Sequence, residues 1–481
     1  MDKTPSLDFL FRPKTLAIAG VSANIGSILT LPQRYIRSLI DFGFKGQIYP
    51  VHPAGGEIFG LKVYKDIEEI SDSIDYVVAA IPARLTPQLL TGCARKKVKA
   101  VHIFTSGFSE IEDEVGKILE SEVVDITRKN GIRILGPNCM GIYCPETGLT
   151  FAVDYPEQGG FPNISGPLGL ISQSGGNTMF CIREASTRGI FFSKAISYGN
   201  ATDLNESDFL EYFTDDRNTK IIAIYIEGVK DGPRFIKALK RTASLKPVIV
   251  YKSGNTESGI RACASHTSAM AGSANIWRGF LKQAGAVPVH SMEEIVDVSL
   301  AFLKMPVPKG RNTVVIGSGG GVGVQAADEC TEAGLILPVL PQDVRIKLRN
   351  IYGTEAGSIF RNPVDIPGFA AKDKSITAVK SIADSDQIDS LIMHFPFDLW
   401  GIIDRKEIIW QYVESVLELA GLVKKPVAVV LHYCATAMAK QLAAEVQEKF
   451  VNAGLPVYPG FKRAASAINK YLQYHERGEN G

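Results

Sequence analysis

The chain has 481 residues, of which 45% are hydrophobic and 21% charged, so it is long enough for about three globular domains. Its 52 lysine and arginine residues balance 51 aspartate and glutamate residues, which gives a formal net charge of +1. This balance excludes a basic surface for nucleic acid and an acidic tail, so we expect local pockets to select the partners.

The amino-terminal segment has no charged region followed by a long apolar one, and no apolar run approaches the roughly 20 residues that span a bilayer. We therefore expect a cytoplasmic protein without a membrane partner.

One pattern recurs three times along the chain: a short β-branched run, a glycine-rich turn and then a helical pattern. The first series begins at TLAIAGVSANIGS (15–27), and DYVVAAIP and VKAVHIF follow it. The second begins at PLGLISQSGGNTMF (167–180), before KIIAIYIEGV and KPVIVYKSG. The third begins at NTVVIGSGGGVGV (312–324), before SLIMHFPF and KPVAVVLHY. Strands that alternate with helices predict an α/β fold of three doubly wound domains, with ligand sites at the carboxyl ends of the strands.

Two segments predict the domain boundaries. The stretch KMPVPKGR (304–311) reads as a linker, and the first boundary falls within residues 145–166. We predict domains at 1–145, 146–305 and 311–481.

The cysteines indicate reduced thiols. There are seven, without CxxC or Cys/His zinc spacing, so we predict neither disulfides nor a metal site. Cys139, Cys263 and Cys330, near glycine-rich segments, are predicted to be buried structural thiols.

The first glycine-rich turn, GVSANIG (20–26), lies between a strand and a helix, where a loop can bind phosphate. It is not the dinucleotide fingerprint, because Ser22 replaces the second glycine, and the next strand ends in YPVHPAGG without an acidic residue for a ribose. These departures disfavour an NAD-dependent oxidoreductase. Two alternatives stay open: a phosphorylated ligand other than NAD, or a turn that only packs a helix on a sheet.

Two further stretches favour phosphate chemistry. CASHTSAMAGS (263–273) surrounds His266 with small residues, which predicts an uncrowded loop where a neutral imidazole can meet phosphorus. Ser174, Gly175 and Gly176 separate a buried strand from a helix, so backbone N–H groups and the positive helix end can bind an anion. The alternatives are a surface histidine and a tight turn, and we interpret GSGGGVGV and the histidines His102 and His290 as structural.

A set of motifs, in order, resembles the NDP-forming acyl-CoA synthetases, the ADP-forming acetate–CoA ligase family related to succinyl-CoA synthetase. These motifs are FRPKTLAIAGVS, GFKGQIYPVHP, TSGFSE, ILGPNCMGI, GLISQSGG, IYIEGV, ASHTSAMAGS and NPVDIPG. The resemblance covers nearly the whole chain and identifies it as the CoA-binding alpha subunit.

The resemblance implies a Rossmann-like CoA-binding domain followed by two flavodoxin-like ligase domains. It implies that His266 is transiently phosphorylated and that Glu227, at the end of IIAIYIEGV, orients the imidazole. Asn138 matches a motif near the thioester end of CoA. The residues then predicted to bind CoA are Gly20, Ser22, Gly26, Ser27 and Asn138, and those predicted to bind phosphate are Ser174, Gly175 and Gly176.

The implied reaction converts acyl-CoA, phosphate and ADP into carboxylic acid, CoA and ATP through an acyl phosphate and a phosphohistidine. ADP or ATP, with Mg²⁺, is expected on an ATP-grasp beta subunit, because the segment after the third unit, FKRAASAINKYLQYHERGENG, is too short for a nucleotide-binding domain. The substrate is a small carboxylic acid or its acyl-CoA.

Two residues depart from the family pattern. Ala54 stands where a lysine is common, which removes a charge-assisted contact worth about 1.5 to 3 kcal/mol unless Lys14 or Arg84 replaces it. Ser268 stands where a glycine is usual, just after the histidine and threonine. A non-catalytic CoA or acyl-CoA sensor stays the alternative, although a sensor has little reason to keep both His266 and Glu227.

Overall fold

The computed structural model describes residues 7–111, 113–151, 160–267, 274–317, 319–353, 359–366, 372–397, 402–432 and 434–479. The chain forms two compact units, one of residues 1–186 and 191–295 and the other of residues 187–190 and 296–481. The three domain ranges taken from the sequence stay predictions.

The first sheet belongs to the first unit and is followed along the chain by a second sheet. Its elements are α1 Asp8–Phe11, β1 Thr15–Ala19, α2 Leu31–Phe42, β2 Gln47–Val51, β3 Gly56–Ile58, β4 Leu61–Val63, β5 Tyr76–Ala79, α3 Thr86–Arg95, β6 Ala100–Ile103, α4 Glu114–Asn130 and β7 Arg133–Leu135. The five parallel strands have the order β2-β1-β5-β6-β7, and β3 and β4 form a separate antiparallel hairpin. The chain direction across the sheet reverses between β1 and β5, which is where doubly wound folds open a crevice.

The second sheet has six strands in the same unit. Its elements are β8 Gly141–Tyr143, β9 Leu168–Ser172, α5 Gly175–Thr187, β10 Phe192–Ser197, α6 Glu206–Asp215, β11 Ile221–Ile226, α7 Gly232–Ala243, β12 Val248–Lys252, α8 Glu257–Thr267, α9 Ala274–Gln283 and β13 Val287–Val289. The next helix, α10 Met292–Lys304, begins in this unit, and its residues from 296 onwards belong to the second unit. The order is β13-β12-β11-β9-β10-β8, with only β8 antiparallel to its neighbour. The reversal here lies between β9 and β11, so the residues after these strands face a second crevice.

The third sheet lies in the second unit and has four parallel strands in the order β14-β15-β16-β17. Its elements are β14 Thr313–Ile316, α11 Gly320–Glu332, α12 Gln342–Tyr352, α13 Lys372–Ala383, β15 Ser390–Pro396, α14 Ile402–Leu422, β16 Val427–His432, α15 Ala437–Asn452, β17 Val457–Tyr458 and α16 Phe461–Glu479. The three sheets confirm the predicted α/β class with parallel strands.

The two sheets of the first unit share one buried core. Leu16 and Ile18 of β1 belong to the same hydrophobic cluster as Ile142 of β8, Ile171 of β9 and Ile224 of β11. Central strands of both sheets are apolar throughout because helices or the other sheet cover them. This continuous core holds the two sets of strand ends in fixed positions.

Two further predictions, on the cysteines and on membrane-spanning segments, can be compared with the structure. Cys139, Cys263 and Cys330 are all buried, as the sequence predicts. Across the described ranges, no helix combines the length and the apolar composition that crossing a membrane requires.

Candidate active site

A cavity of about 550 Å³ lies at the carboxyl ends of the strands in the first unit. Residues after β5, β6, β7, β9 and β10 contribute to its wall, together with the start of α2. The lining residues are Leu31, Pro32, Ala80, Phe104, Thr105, Ser106, Asn138, Cys139, Met140, Gln173, Ser174, Gly175, Gly176 and Gly199. The cavity therefore brings Asn138 together with the predicted phosphate-binding turn, while the described loop that holds Gly20, Ser22, Gly26 and Ser27 contributes none of these lining residues.

The phosphate-binding turn begins directly after β9. The backbone N–H of Ser174 donates to Ser172 Oγ at 3.2 Å, and the Ser174 carbonyl accepts from the N–H of Thr178 at 3.1 Å. No described residue accepts the N–H groups of Gly175 and Gly176, the first residues of α5. An anion at this helix end would thus meet two backbone donors. The sequence predicts a third donor, the N–H of Ser174, but the hydroxyl of Ser172 already accepts from it.

The first of these two glycines has a steric reason to lack a side chain. A Cβ on Gly175 would lie 2.3 Å from Met140 Cγ, whereas a Cβ on Gly176 would meet nothing within 4 Å. Met140 therefore packs directly over the helix start, at the bottom of the cavity.

Gln173 connects the phosphate-binding turn to the end of β11. Its side chain is 3% exposed, and its Oε1 accepts from the backbone N–H groups of Glu227 at 2.7 Å and Gly228 at 3.3 Å. The sequence analysis missed this residue. A polar side chain directly after a fully buried strand, at the point where strand order reverses, is the signal that would have found it.

Glu227 lies where the sequence predicts, directly after β11. Its side chain is 4% exposed, and its Oε1 accepts from the Tyr225 hydroxyl at 3.2 Å. Lys252, the last residue of the neighbouring strand β12, is equally buried, and that burial lowers the pKa of its ammonium group while the Glu227 carboxylate opposes the effect. The sequence analysis missed Lys252, a strand-end cation that follows a fully apolar run.

His266 belongs to the last turn of α8, whereas the sequence predicted a loop at this position. Ala262 and Ala264 favour a helical backbone, and the small residues around His266 therefore do not by themselves break a helix. Helix α8 lies against the end of β12, where Cys263 Sγ is 3.9 Å from Ser253 Oγ. The side chains of 264–273, including His266 and Ser268, lie outside the described residues, so the contact between Glu227 and the imidazole stays a prediction.

The turn after β1 is held tightly by its neighbours. Gly20 has φ +102°, and a Cβ there would lie 2.3 Å from the Ala80 carbonyl oxygen. The N–H groups of Gly20 and Val21 both donate to the Val51 carbonyl, at 2.9 and 3.1 Å, so they are not available to a phosphate. Gly20 thus permits the close approach of β1 and β5 and does not present a backbone donor.

A buried glutamine holds the rest of this turn. Gln33 Nε2 donates to the carbonyls of Ser22 at 2.8 Å and Asn24 at 3.0 Å, and its Oε1 accepts from the Thr30 N–H at 2.8 Å. Sequence reasoning missed Gln33, although the capping-box spacing of Thr30 and Gln33 is a readable signal. Gly26 and Ser27 beyond it are exposed, and a Cβ on Gly26 would approach only the Ile28 carbonyl, at 3.9 Å.

Asn138 has a left-handed backbone, with φ +57°. Its N–H donates to the Thr105 carbonyl at 3.0 Å, and a Cβ on Gly199 would lie 2.4 Å from the Asn138 carbonyl oxygen. Asparagine tolerates this conformation better than most residues. The side chain of Asn138 lines the cavity, and no described residue hydrogen-bonds to it.

Comparisons with known proteins agree with this arrangement. Residues 14–145 match the family model described as a CoA binding domain, and residues 165–302 match that of a succinyl-CoA ligase like flavodoxin domain. The alpha subunit of acetate–CoA ligase [ADP-forming] I from Pyrococcus furiosus is 36% identical, over 98% of this chain and 98% of that protein. The chain belongs to the NDP-forming acyl-CoA synthetase family, as its alpha subunit. The ligase class predicted from the motifs is confirmed.

Other relatives show how such chains are organised. The acetate–CoA ligase [ADP-forming] of Methanocaldococcus jannaschii is 38% identical over 76% of this chain, and the match spans half of that longer protein. The dinucleotide forming acetyl-coenzyme A synthetase 1 of Ca. Korarchaeum cryptofilum, solved with phosphate and ADP, has a TM-score of 0.80 and 29% identity, covering 99% of this chain and 98% of that one. The name alpha subunit implies a partner subunit for the Pyrococcus furiosus protein.

Ala54 stands where the synthetase family commonly has a lysine, so the positively charged side chains near this loop matter for CoA binding. Lys14 precedes β1, at the opposite end of that five-residue strand from the turn, and the suggestion that it replaces the missing lysine stays a prediction. Arg84 follows β5 at the correct edge of the sheet. Lys65, which the sequence analysis missed, lies beside Gly55, where a Cβ would be 3.4 Å from Lys65 Cγ.

The motif TSGFSE folds onto the second sheet of the synthetase subunit. Glu110 accepts from the N–H of Gly107 at 2.5 Å and from Asn200 Nδ2 at 2.6 Å. Helix α8 packs against the same turn, Ser109–Ile111. The motif therefore supports the helix that carries His266.

Proposed function

We propose that this chain interconverts acyl-CoA, phosphate and a nucleoside diphosphate with a carboxylic acid, CoA and the nucleoside triphosphate, together with a partner subunit. The observation that carries the proposal is the shared cavity. Asn138, at the end of the CoA-binding sheet, and the two unpaired N–H groups of Gly175 and Gly176 line the same space. A thioester and a phosphate can meet there.

In the proposed first step, phosphate is bound at the start of α5 and attacks the thioester carbonyl carbon. A C–O bond forms and the C–S bond breaks, so CoA leaves as a thiolate and an acyl phosphate remains. The N–H groups of Gly175 and Gly176 and the positive end of the 13-residue helix stabilise the phosphate charge. Asn138 is positioned to contact the thioester end of the substrate.

In the second step, a ring nitrogen of His266 attacks phosphorus. The P–N bond forms and the P–O bond breaks, which releases the carboxylate. Glu227 accepts the ring N–H on the other side of the imidazole, which fixes the tautomer that presents a lone pair.

Lys65 and Arg84 are the proposed contacts for the CoA phosphates.

In the third step, the phosphoryl group passes from His266 to ADP or GDP on an ATP-grasp partner subunit. The Mg²⁺ expected with the nucleotide belongs to the same part of the proposal. In the described ranges, no group of three or more His, Cys, Asp or Glu side chains is placed to hold a metal.

The test uses the full chain and labelled acetyl phosphate, with and without the partner subunit. We expect an acid-labile, base-stable label on the wild-type chain and none on His266→Ala, and transfer of the label to ATP when ADP and the partner are added. Normal acyl-CoA formation by the pair that contains His266→Ala would refute the phosphohistidine route. A wild-type chain that binds CoA but supports no turnover with its partner would instead be a sensor.

A further inference from the structure

The side-chain amide of Gln173 has a fixed orientation. Its Oε1 receives two backbone N–H groups, from Glu227 and Gly228. Both partners are donors, so only the oxygen can face them, and the NH₂ group must point elsewhere. The strand register that aligns β9 with β11 sets this geometry, since Gln173 N–H also donates to the Tyr225 carbonyl at 3.1 Å.

The NH₂ group of Gln173 has no acceptor in the described part of the chain, although the residue is more than nine-tenths buried. Because Gln173 lines the cavity, this donor is available to an acceptor on a ligand. The residue lies two positions before Gly175, whose N–H group is also unpaired.

The surroundings select the charge of this ligand. The described residues that line the cavity include no charged side chain, and its donors include the side-chain amides of Gln173 and Asn138, the hydroxyls of Ser106 and Ser174, and the N–H groups of Gly175 and Gly176 at the start of α5. Together these favour an anionic oxygen over a neutral carbonyl.

We propose that Nε2 of Gln173 binds a non-bridging oxygen of phosphate or of the acyl phosphate, as a third donor beside Gly175 and Gly176. This inference rests on the proposed function, because it assigns a residue to the same phosphate site. Gln173 also joins that site to the backbone of Glu227, so the anion and the histidine-orienting carboxylate are positioned by one side chain.

The test compares Gln173→Glu with the wild-type full chain. The glutamate keeps an oxygen that accepts from Glu227 and Gly228, but it replaces the NH₂ donor with a negatively charged oxygen. We expect the Kd for inorganic phosphate, measured by titration calorimetry, to rise about 10- to 100-fold, as expected for a lost hydrogen bond to a charged group. CoA affinity should change little and serves as the measure that the variant is folded, because burying a carboxyl group at this position should lower the melting temperature.

Two further measurements separate the possible outcomes. Gln47→Glu is the control, because it adds the same charge at an exposed position. Gln47 begins β2, at the opposite end of the strands from the cavity, so the phosphate Kd should stay unchanged. Half-saturation of histidine labelling by acetyl phosphate should rise for Gln173→Glu in parallel with the phosphate Kd. Equal phosphate affinity of Gln173→Glu and wild type would overturn the assignment, whereas a wild-type chain that binds phosphate through Gln173 but never becomes labelled would refute only the proposed function.

Discussion

Glu206 is a buried carboxyl group that should make the stability of the first unit depend on pH. It begins helix α6, is 1% exposed, and its Oε1 has no hydrogen-bond partner in the described part of the chain. Burial raises its pKa to about 7, and the nearby carboxylate of Asp208 adds to this, while the backbone N–H of Lys230 opposes it. The folded protein therefore holds a proton that the unfolded chain releases.

The sign and size of the pH dependence follow from the difference between the folded and the unfolded pKa of Glu206. Between the ordinary pKa of 4.5 and the folded pKa of about 7, the unfolded state loses its proton and the folded state keeps it. Because each pKa unit corresponds to about 1.4 kcal/mol, the free energy of unfolding falls by about 3 kcal/mol across this window as the pH rises. Below pH 4.5 the penalty disappears, and above pH 7 it is constant.

The variant Glu206→Gln removes the titrating group and keeps the shape of the side chain. Between pH 4.5 and pH 8, the free energy of unfolding of the wild type should fall by about 3 kcal/mol relative to that of Glu206→Gln. Urea unfolding followed by circular dichroism at several pH values measures this. Glu211→Gln on the same helix is the control, because Glu211 is paired with Arg234 at 2.7 Å and its loss should bring no gain at high pH. Parallel pH profiles for Glu206→Gln and wild type would refute the reasoning.

Three further predictions concern the site. Glu227→Gln should slow histidine labelling by up to about 10⁴-fold, because loss of the orienting carboxylate permits the wrong imidazole tautomer, while CoA affinity and melting temperature stay unchanged. Labelling at the normal rate would remove Glu227 from the mechanism. Gly175→Ala should lower the free energy of unfolding by about 1 to 3 kcal/mol, because its methyl group would clash with Met140. Gly176→Ala should leave the free energy of unfolding unchanged or raise it by up to about 1 kcal/mol, and thermal unfolding compares the two variants. Lys65→Ala should weaken CoA binding about tenfold in calorimetry and Lys14→Ala should not, and the reverse result would show that CoA is bound elsewhere.

The sequence by itself determined the α/β class and the elements that carry the site. Short apolar runs separated by glycine-rich turns encode buried parallel strands, because only strands covered on both faces are apolar throughout. The positions of Gly20, Asn138, Gly175 and Glu227 at strand ends follow from the same local pattern. Ordered motifs further identified the family, which the relatives confirm.

The tertiary structure decided which of these groups are available to a ligand. The N–H of Ser174 is taken by Ser172, and the N–H of Gly20 is taken by the neighbouring strand at Val51. A local pattern cannot show this, because the acceptors are set by side-chain rotamers and by the pairing of strands far apart in the chain.

The tertiary structure also selected residues with no motif of their own. Gln173 gains its role from the register of β9 with β11, and Lys65 from the hairpin that returns the chain to the loop at Gly55. Lys14 lies just before β1, at the opposite end of that strand from the turn. Proximity across strands depends on sheet order and on the shared core, and these arise only when segments far apart in the sequence pack together.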